Sequence, residues 1–356
     1  MKKKIEIAVL CDYRLMPERV GGMDRFFWLF DAECKTLGHE IVWFFPNNET
    51  HEDYYNLSII DAKGKSIEQT FLAHEQSFDV VFTHFLELCT PFYKAVKKHK
   101  LATKIIVVDH NPRPFSGYPL KKRLQKRIKG FMYASFVDLF VGVSQYTVSE
   151  VFRDFGRHLE NRTHVIYNGI AYQKFKKRTS RSLQKPTFVV ACHLRHSKGI
   201  QDLIEAVALL PKEMVSHLCI DIYGEGEYQS TLELLISKHH LQDNFVFKGS
   251  VANLYEIYYH YDYMLQPTHM ECFSLAILES LSANVPVITT PVGGNEEVIV
   301  NGVNGYILPV QDPKAWSVLL KKIYTGEEKI ATDTSSLIEN EFSIEKMVKQ
   351  YLELIL

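Results

Sequence analysis

"YMLQPTHMECFSLAILESLSANVPVITT", Tyr263–Thr290, contains a complete supersecondary unit. YMLQPT is a short apolar run, SLAILESLSA is an apolar run of helical length, and PVITT is a second short run rich in β-branched residues. Parallel neighbours in a sheet need a crossover, and a helix between two such runs supplies it. The helix is expected to begin near Ser274. Asn284 follows its last apolar position, where it suits a left-handed cap, and Pro286 opens the next strand. Glu271 then lies in the loop before the helix and Glu279 inside it, on different faces, so they do not read as a simple acid/base couple. The N–H groups of Phe273, Ser274 and Leu275 at the helix start form an anion site. Carboxylates beside an anion site suit a ligand carrying both phosphate and hydroxyls. Spacing alone leaves an equal alternative, a Glu stabilised by the helix dipole and a second, buried Glu satisfied by its neighbours.

The same alternation extends outward. IEIAVLC, EIVWFF, FDVVFTH, KIIVVDH, LFVGVS and HVIYNGI are strand-like, with amphipathic stretches such as MDRFFWLFDAECKTLG between several of them. The pattern lapses at AYQKFKKRTSRSLQKP, which is polar, basic and aperiodic. It restarts with TFVVACHL, LCIDIYG and NFVFKGS, separated by IQDLIEAVALLP and YQSTLELLISKHHL, and NLYEIYYHY is expected to be a further helix. The reading is α/β throughout: an N-terminal domain over 1–170, a linker over 171–186, a C-terminal domain over 187–342, and a closing amphipathic helix over 343–356. Ligands of such sheets bind beyond the carboxyl ends of the strands, which singles out Gly22, His84, His110, Asn168, Lys198 and Glu271.

With 356 residues, 46% of them hydrophobic, the chain can bury two cores. Its net charge of −1 gives no reason to expect a nucleic-acid partner. The N-terminal MKKKIEIAVLC reads as a buried first strand rather than a signal peptide, and no run is long and apolar enough to span a membrane. Six scattered cysteines lack metal-ligand spacing and suit a reducing, cytoplasmic setting.

The stretch Glu271–Pro309, ECFSLAILESLSANVPVITTPVGGNEEVIVNGVNGYILP, closely resembles the signature of the retaining glycosyltransferases of family 4: Glu, seven residues, Glu, a small-residue turn, PVI, a GG…E loop and an NG hairpin. VGG at 20–22, VVDH ending in His110, VSQYT, YNGI with Asn168, YGEGEYQSTL and FKGSV follow that family's order over nearly the whole chain. The resemblance implies the GT-B fold, two Rossmann-like doubly wound domains facing a central cleft. It further implies an N-terminal acceptor domain and a C-terminal donor domain. The activity implied is transfer of a sugar with retention, from a nucleoside-diphosphate sugar to a glycan or lipid-linked acceptor, with no cofactor and no metal.

Carried over by position, Glu279 would hold ribose hydroxyls and Glu271 hydroxyls of the donor sugar. The N–H groups of Phe273, Ser274 and Leu275 would help hold sugar and phosphate, and Lys198 would pair with the diphosphate. Gly22 would admit phosphate to the backbone, and His110 would contact the donor sugar near the reacting carbon. His84 and Asn168 are weaker candidates for the acceptor.

One departure stands out. The family reads Gly-Arg-Leu, three residues, Lys-Gly; here CHLRHSKG puts His193 where Arg is usual, with Arg195 two residues on. Either can supply the phosphate's partner. Seven basic residues and no acid lie between Asp109 and Asp138, within 113–129. That stretch reads as a peripheral membrane face on the inner side of the membrane, as a site for a pyrophosphate-linked lipid acceptor, or as a solvated helix. The functional alternatives are a nucleotide-sugar epimerase of the same architecture, a glycosidase using the two carboxylates, and a non-catalytic partner that binds nucleotide sugar.

Overall fold

The computed structural model describes residues 4–18, 20–180 and 185–355, so part of the expected linker, 181–184, lies outside the described residues. The chain divides into two compact units, Met1–Gly169 with Ile344–Leu356, and Ile170–Ser343.

The first unit is a seven-stranded parallel sheet. Its strands are β1 (Glu6–Cys11), β2 (Glu40–Phe45), β3 (Ile59–Asp61), β4 (Phe78–His84), β5 (Ala102–Asp109), β6 (Leu139–Gly142) and β7 (Thr163–Val165), in spatial order β3-β2-β1-β4-β5-β6-β7. Ile7 to Cys11 are wholly buried, as in a strand covered on both faces. The closing helix Ile344–Glu353 belongs to this unit: Tyr351 is buried against the rings of Phe26, Phe30, Phe82 and His84.

The second unit is a six-stranded parallel sheet of β8 (Phe188–Ala191), β9 (Ile220–Tyr223), β10 (Phe245–Gly249), β11 (Tyr263–Gln266), β12 (Val287–Thr289) and β13 (Gly305–Ile307), in order β10-β9-β8-β11-β12-β13. Both sheets reverse their winding once, between β1 and β4 and between β8 and β11. This is the two-domain arrangement of GT-B proteins.

Three expectations need amendment. Residues 171–180 are fastened to the second unit: Lys176 N donates to Tyr255 O (3.2 Å), Arg178 N to Ala283 O (2.8 Å), and Arg178 pairs with Asp262 at 2.7 Å. NLYEIYYHY forms two 3-10 turns, Leu254–Glu256 and Tyr258–His260, instead of one helix. Finally, the stretch 113–129 is not a uniformly solvated run. Arg113 is buried, its guanidinium 2.7 Å from Asp109 and 3.0 Å from Asp154, and Lys126 also pairs with Asp154. Burial works against the Arg113 charge, but the two carboxylates outweigh it and hold the pKa above its ordinary value.

Candidate active site

The reversal between β8 and β11 opens a crevice at the ends of two adjacent strands, and the loops leaving them carry the candidate residues. CHLRHSKG follows β8; PTHMECFS follows β11. The two loops are clasped together. His269 N donates to Ser197 O at 2.7 Å, Thr268 Oγ1 to the same oxygen at 3.1 Å, and His269 Nε2 meets Asp202 Oδ2 at 2.6 Å. Gly199 makes the clasp possible. Its φ is +71°, and a Cβ there would stand 1.8 Å from Pro267 O. Gly293 does the same on the far side: at φ +61° it lies against Glu271 O, where a Cβ would come within 2.4 Å.

The clasp brings Lys198 Nζ to 2.7 Å from Glu271 Oε2, while Cys272 N donates to Glu271 Oε1 at 3.2 Å. Burial lowers the Lys198 pKa, but the charge and hydrogen bond of Glu271 overcome that effect and hold the ammonium above its ordinary range. Lys198 is therefore a fixed positive charge near neutrality. Just beyond it, Ser274 is the N-cap residue of the helix Leu275–Ser282, yet its side chain caps nothing. Its Oγ instead accepts from Gln266 Nε2 at 2.8 Å. The first-turn N–H groups thus lack a Ser274 acceptor, and the helix dipole and Lys198 together favour an anion there. Asn284 does adopt the left-handed conformation after the helix, φ +58°.

Glu279, half-buried in that helix, accepts from Tyr258 OH at 3.3 Å. Arg195 and His193 are both exposed, and Arg195 Nε donates to His193 Nδ1 at 3.2 Å. β8 has ended at Ala191, but the backbone is still extended at Arg195 (φ −128°, ψ 153°) and Leu194 between the two is buried, so His193 and Arg195 lie on the same side of the chain. Both candidates for the phosphate's cationic partner therefore stand at one spot. The glycines of YGEGE also serve this loop: a Cβ on Gly226 would stand 2.2 Å from Leu194 O.

In the first unit, His84 ends β4 and His110 follows β5. His84 Nδ1 and His110 Nε2 are 2.9 Å apart, both rings buried. Burial pushes the His110 pKa down to about 3, and burial followed by the His110 charge pushes His84 well below its ordinary value. The pair is neutral at physiological pH, one nitrogen donating to the other. Phe85, at φ +62°, stacks its ring on His110 with centroids 4.2 Å apart. The expectation that His84 lines an acceptor surface is not met. Its ring is 1% exposed, enclosed by Phe26, Phe27, Tyr351 and His110. Asn168 is buried as well, with no partner for Oδ1 among the described residues. Gly22 opens the helix Gly22–Thr36, where Asp24 folds back to accept from Gly21 N (2.8 Å) and from the hydroxyls of Tyr13 and Tyr54.

Among the described residues no group of three or more His, Cys, Asp or Glu side chains could hold a metal ion. No helix among them is long and apolar enough to cross a membrane.

Residues 20–174 match the family model for Glycosyltransferase Family 4, and residues 172–338 match that for Glycosyl transferases group 1. The chain belongs to the family 4 glycosyltransferases. The N-acetyl-alpha-D-glucosaminyl L-malate synthase of Bacillus anthracis is 27% identical over 272 residues, covering 67% of this chain and 71% of that protein. The GtfA subunit of the UDP-N-acetylglucosamine–peptide N-acetylglucosaminyltransferase of Streptococcus pneumoniae is 30% identical over 181 residues, 50% of this chain. That match spans only 35% of the GtfA subunit. Anabaena HepE, solved in complex with UDP and glucose, shares the fold at a TM-score of 0.78 over 99% of each chain, with 15% identity.

Four residues that hold candidate groups in place, Asp24 in the first unit and Asp202, Tyr258 and His269 in the second, escape a sequence reading. His269 and Asp202 are far apart in sequence and meet only through the clasp. Tyr258 is hidden in an aromatic run that reads as a helix face. Asp24 does leave a signal, an acid three residues after Gly21 at a helix start.

Proposed function

We propose that this chain is a retaining, metal-independent glycosyltransferase that moves a sugar from a uridine-diphosphate sugar to an acceptor hydroxyl, in building a surface polysaccharide or glycoconjugate on the cytoplasmic side of the membrane. The observation that carries this reading is the Lys198–Glu271 pair held at 2.7 Å beside a helix start that Ser274 does not cap. The unit Ile170–Ser343 would take the donor, and the unit built on residues 1–169 the acceptor. The choice of uridine is supported by HepE, solved with UDP, and by the GtfA relative, named for a UDP-sugar.

In this reading Lys198, the Arg195–His193 pair and the N–H groups of Phe273, Ser274 and Leu275 stabilise the charge that grows on the diphosphate as its bond to the sugar breaks. Fixed cations and N–H groups then do what a metal does elsewhere. Glu271 accepts from hydroxyls of the donor sugar, and Glu279, steadied by Tyr258, accepts from the ribose. The acceptor oxygen bonds to the anomeric carbon on the face the diphosphate leaves. The departing phosphate oxygen takes the acceptor's proton, so no protein base is required. His110, neutral and held by His84, serves as a hydrogen-bonding partner of the sugar rather than as a proton source.

The test is UDP release from a panel of UDP-hexoses and UDP-N-acetylhexosamines, with and without candidate acceptors and in EDTA. Acceptor-dependent release, unchanged by EDTA and giving a product of the donor's anomeric configuration by NMR, is expected. An inverted product would refute retention. A new sugar isomer formed without acceptor would make the chain an epimerase.

A further inference from the structure

Amphipathic helices ordinarily turn their apolar stripe to the core and their charges to water. The helix Leu120–Tyr133 does the reverse. Leu120, Leu124 and Phe131 are 79%, 63% and 87% exposed, and Ile128 is exposed with them. At 3.6 residues per turn these four lie within an arc of about 80°. Met132 and, in the preceding loop, Phe115 extend the patch, so six of the fourteen large apolar side chains exposed among the described residues fall within 115–132.

The opposite side of the helix is what the unit holds. Gly130 packs so closely that a Cβ would come within 2.5 Å of Phe155 O. Lys126 pairs with Asp154 at 2.8 Å and Lys129 with Glu87 at 2.6 Å, while Lys122 sits 4.0 Å over the Tyr118 ring. Charges that would keep an ordinary helix soluble are spent on fastening this one, and the outward face is left apolar. Lys121 and Arg123 remain exposed beside the stripe, and no acid occurs between Asp109 and Asp138.

We propose that this helix seats the chain on an anionic lipid surface, with Leu120, Leu124, Ile128 and Phe131 entering the headgroup boundary and Lys121 and Arg123 meeting lipid phosphates. Charge selects this occupant. A two-fold contact with a second copy would set like-charged rims against each other, whereas an anionic bilayer complements a patch that is apolar in the middle and positive at its edge. The proposal does not depend on the donor chemistry.

It is tested by flotation of the full chain with vesicles of phosphatidylcholine alone and of phosphatidylcholine with phosphatidylglycerol. The wild type is expected to float with the anionic vesicles and not the neutral ones, more weakly as salt rises. L124E/F131E should lose flotation while keeping the wild-type melting temperature and UDP-binding. K121E/R123E should bind anionic vesicles about tenfold more weakly or worse. Equal flotation of wild type and L124E/F131E, or none by the wild type at low salt, would overturn the proposal. So would a wild-type dimer in solution that L124E/F131E converts to monomer, since the patch would then belong to a second copy.

Discussion

Lys198 is committed to one charge state by its surroundings, and that makes its contribution separable. Its raised pKa means that the pair with Glu271 is intact below the ordinary lysine value of about 10.4 and is lost only as pH rises through the higher folded value. No Lys198 titration should therefore appear in kcat between about pH 6 and 9. Lys198→Ala should lower kcat by about 10²–10³-fold, the scale of losing one transition-state donor. Glu279→Gln should act on binding instead, raising the donor Kd about tenfold, the order expected for a weakened charge-assisted hydrogen bond. Steady-state kinetics with varied donor would separate the two; equal effects on kcat and KM from both substitutions would dissolve the division of roles.

The two histidines predict an acid sensitivity. A buried imidazole with a depressed pKa stabilises the fold above its unfolded value of about 6.5, and that contribution is lost as pH falls towards the folded value, about 3 for His110. The wild type should lose stability between pH 7.5 and 5, and His110→Gln should lose less over the same range. Identical slopes in denaturation midpoints at those pH values would count against a neutral pair. At this scale the sequence was legible for placement, since Lys198 and Glu271 lie in the loops leaving β8 and β11 and His110 directly follows β5. It was misleading for His84, whose strand-end position is the same but whose ring is enclosed by residues distant in sequence. The choice between His193 and Arg195 was undecidable because the two lie on the same side of an extended segment beyond β8 and are hydrogen-bonded to each other.

At the scale of elements, the segment Tyr263–Thr290 was readable almost residue by residue. Ser274 is at the N-cap position, Asn284 takes the left-handed conformation, and strands flank the helix on both sides. Hydrophobic periodicity and cap chemistry agree there, and agreement across levels is what makes a segment predictable. NLYEIYYHY failed because periodicity could not reveal that Tyr258 is buried with its hydroxyl committed to Glu279, a long-range demand that two short turns satisfy. The clasp between the β8 and β11 loops was equally invisible. It can be probed through Gly199→Ala, which forces a side chain into φ +71° and onto Pro267 O. The backbone conformation alone costs about 1–3 kcal/mol, so the variant should melt measurably lower and lose donor-dependent turnover. A variant that melts with the wild type and turns over normally would show that the clasp does not position Lys198.

On the scale of the whole molecule, the restart of the strand–helix pattern after Pro186 exposed the second sheet, and the amphipathic C-terminal segment belongs to the first unit, where Tyr351 fills an aromatic pocket. What no local pattern could give was the order of the strands, because β1 and β4, or β8 and β11, become neighbours only through the winding of the sheet. That winding makes a crevice out of loops about seventy residues apart in the second unit, Lys198 from one and Glu271 from the other. The central claim is that this crevice holds a uridine diphosphate, and thermal unfolding with added nucleotide tests it most directly. At a hundredfold excess over Kd a ligand stabilises the folded state by about 2.7 kcal/mol, worth roughly 5–10 °C for a domain of this size. UDP is predicted to raise the melting temperature of the wild type by that much, and to raise that of Glu279→Gln by clearly less. No shift with UDP, or the same shift in both proteins, would contradict it.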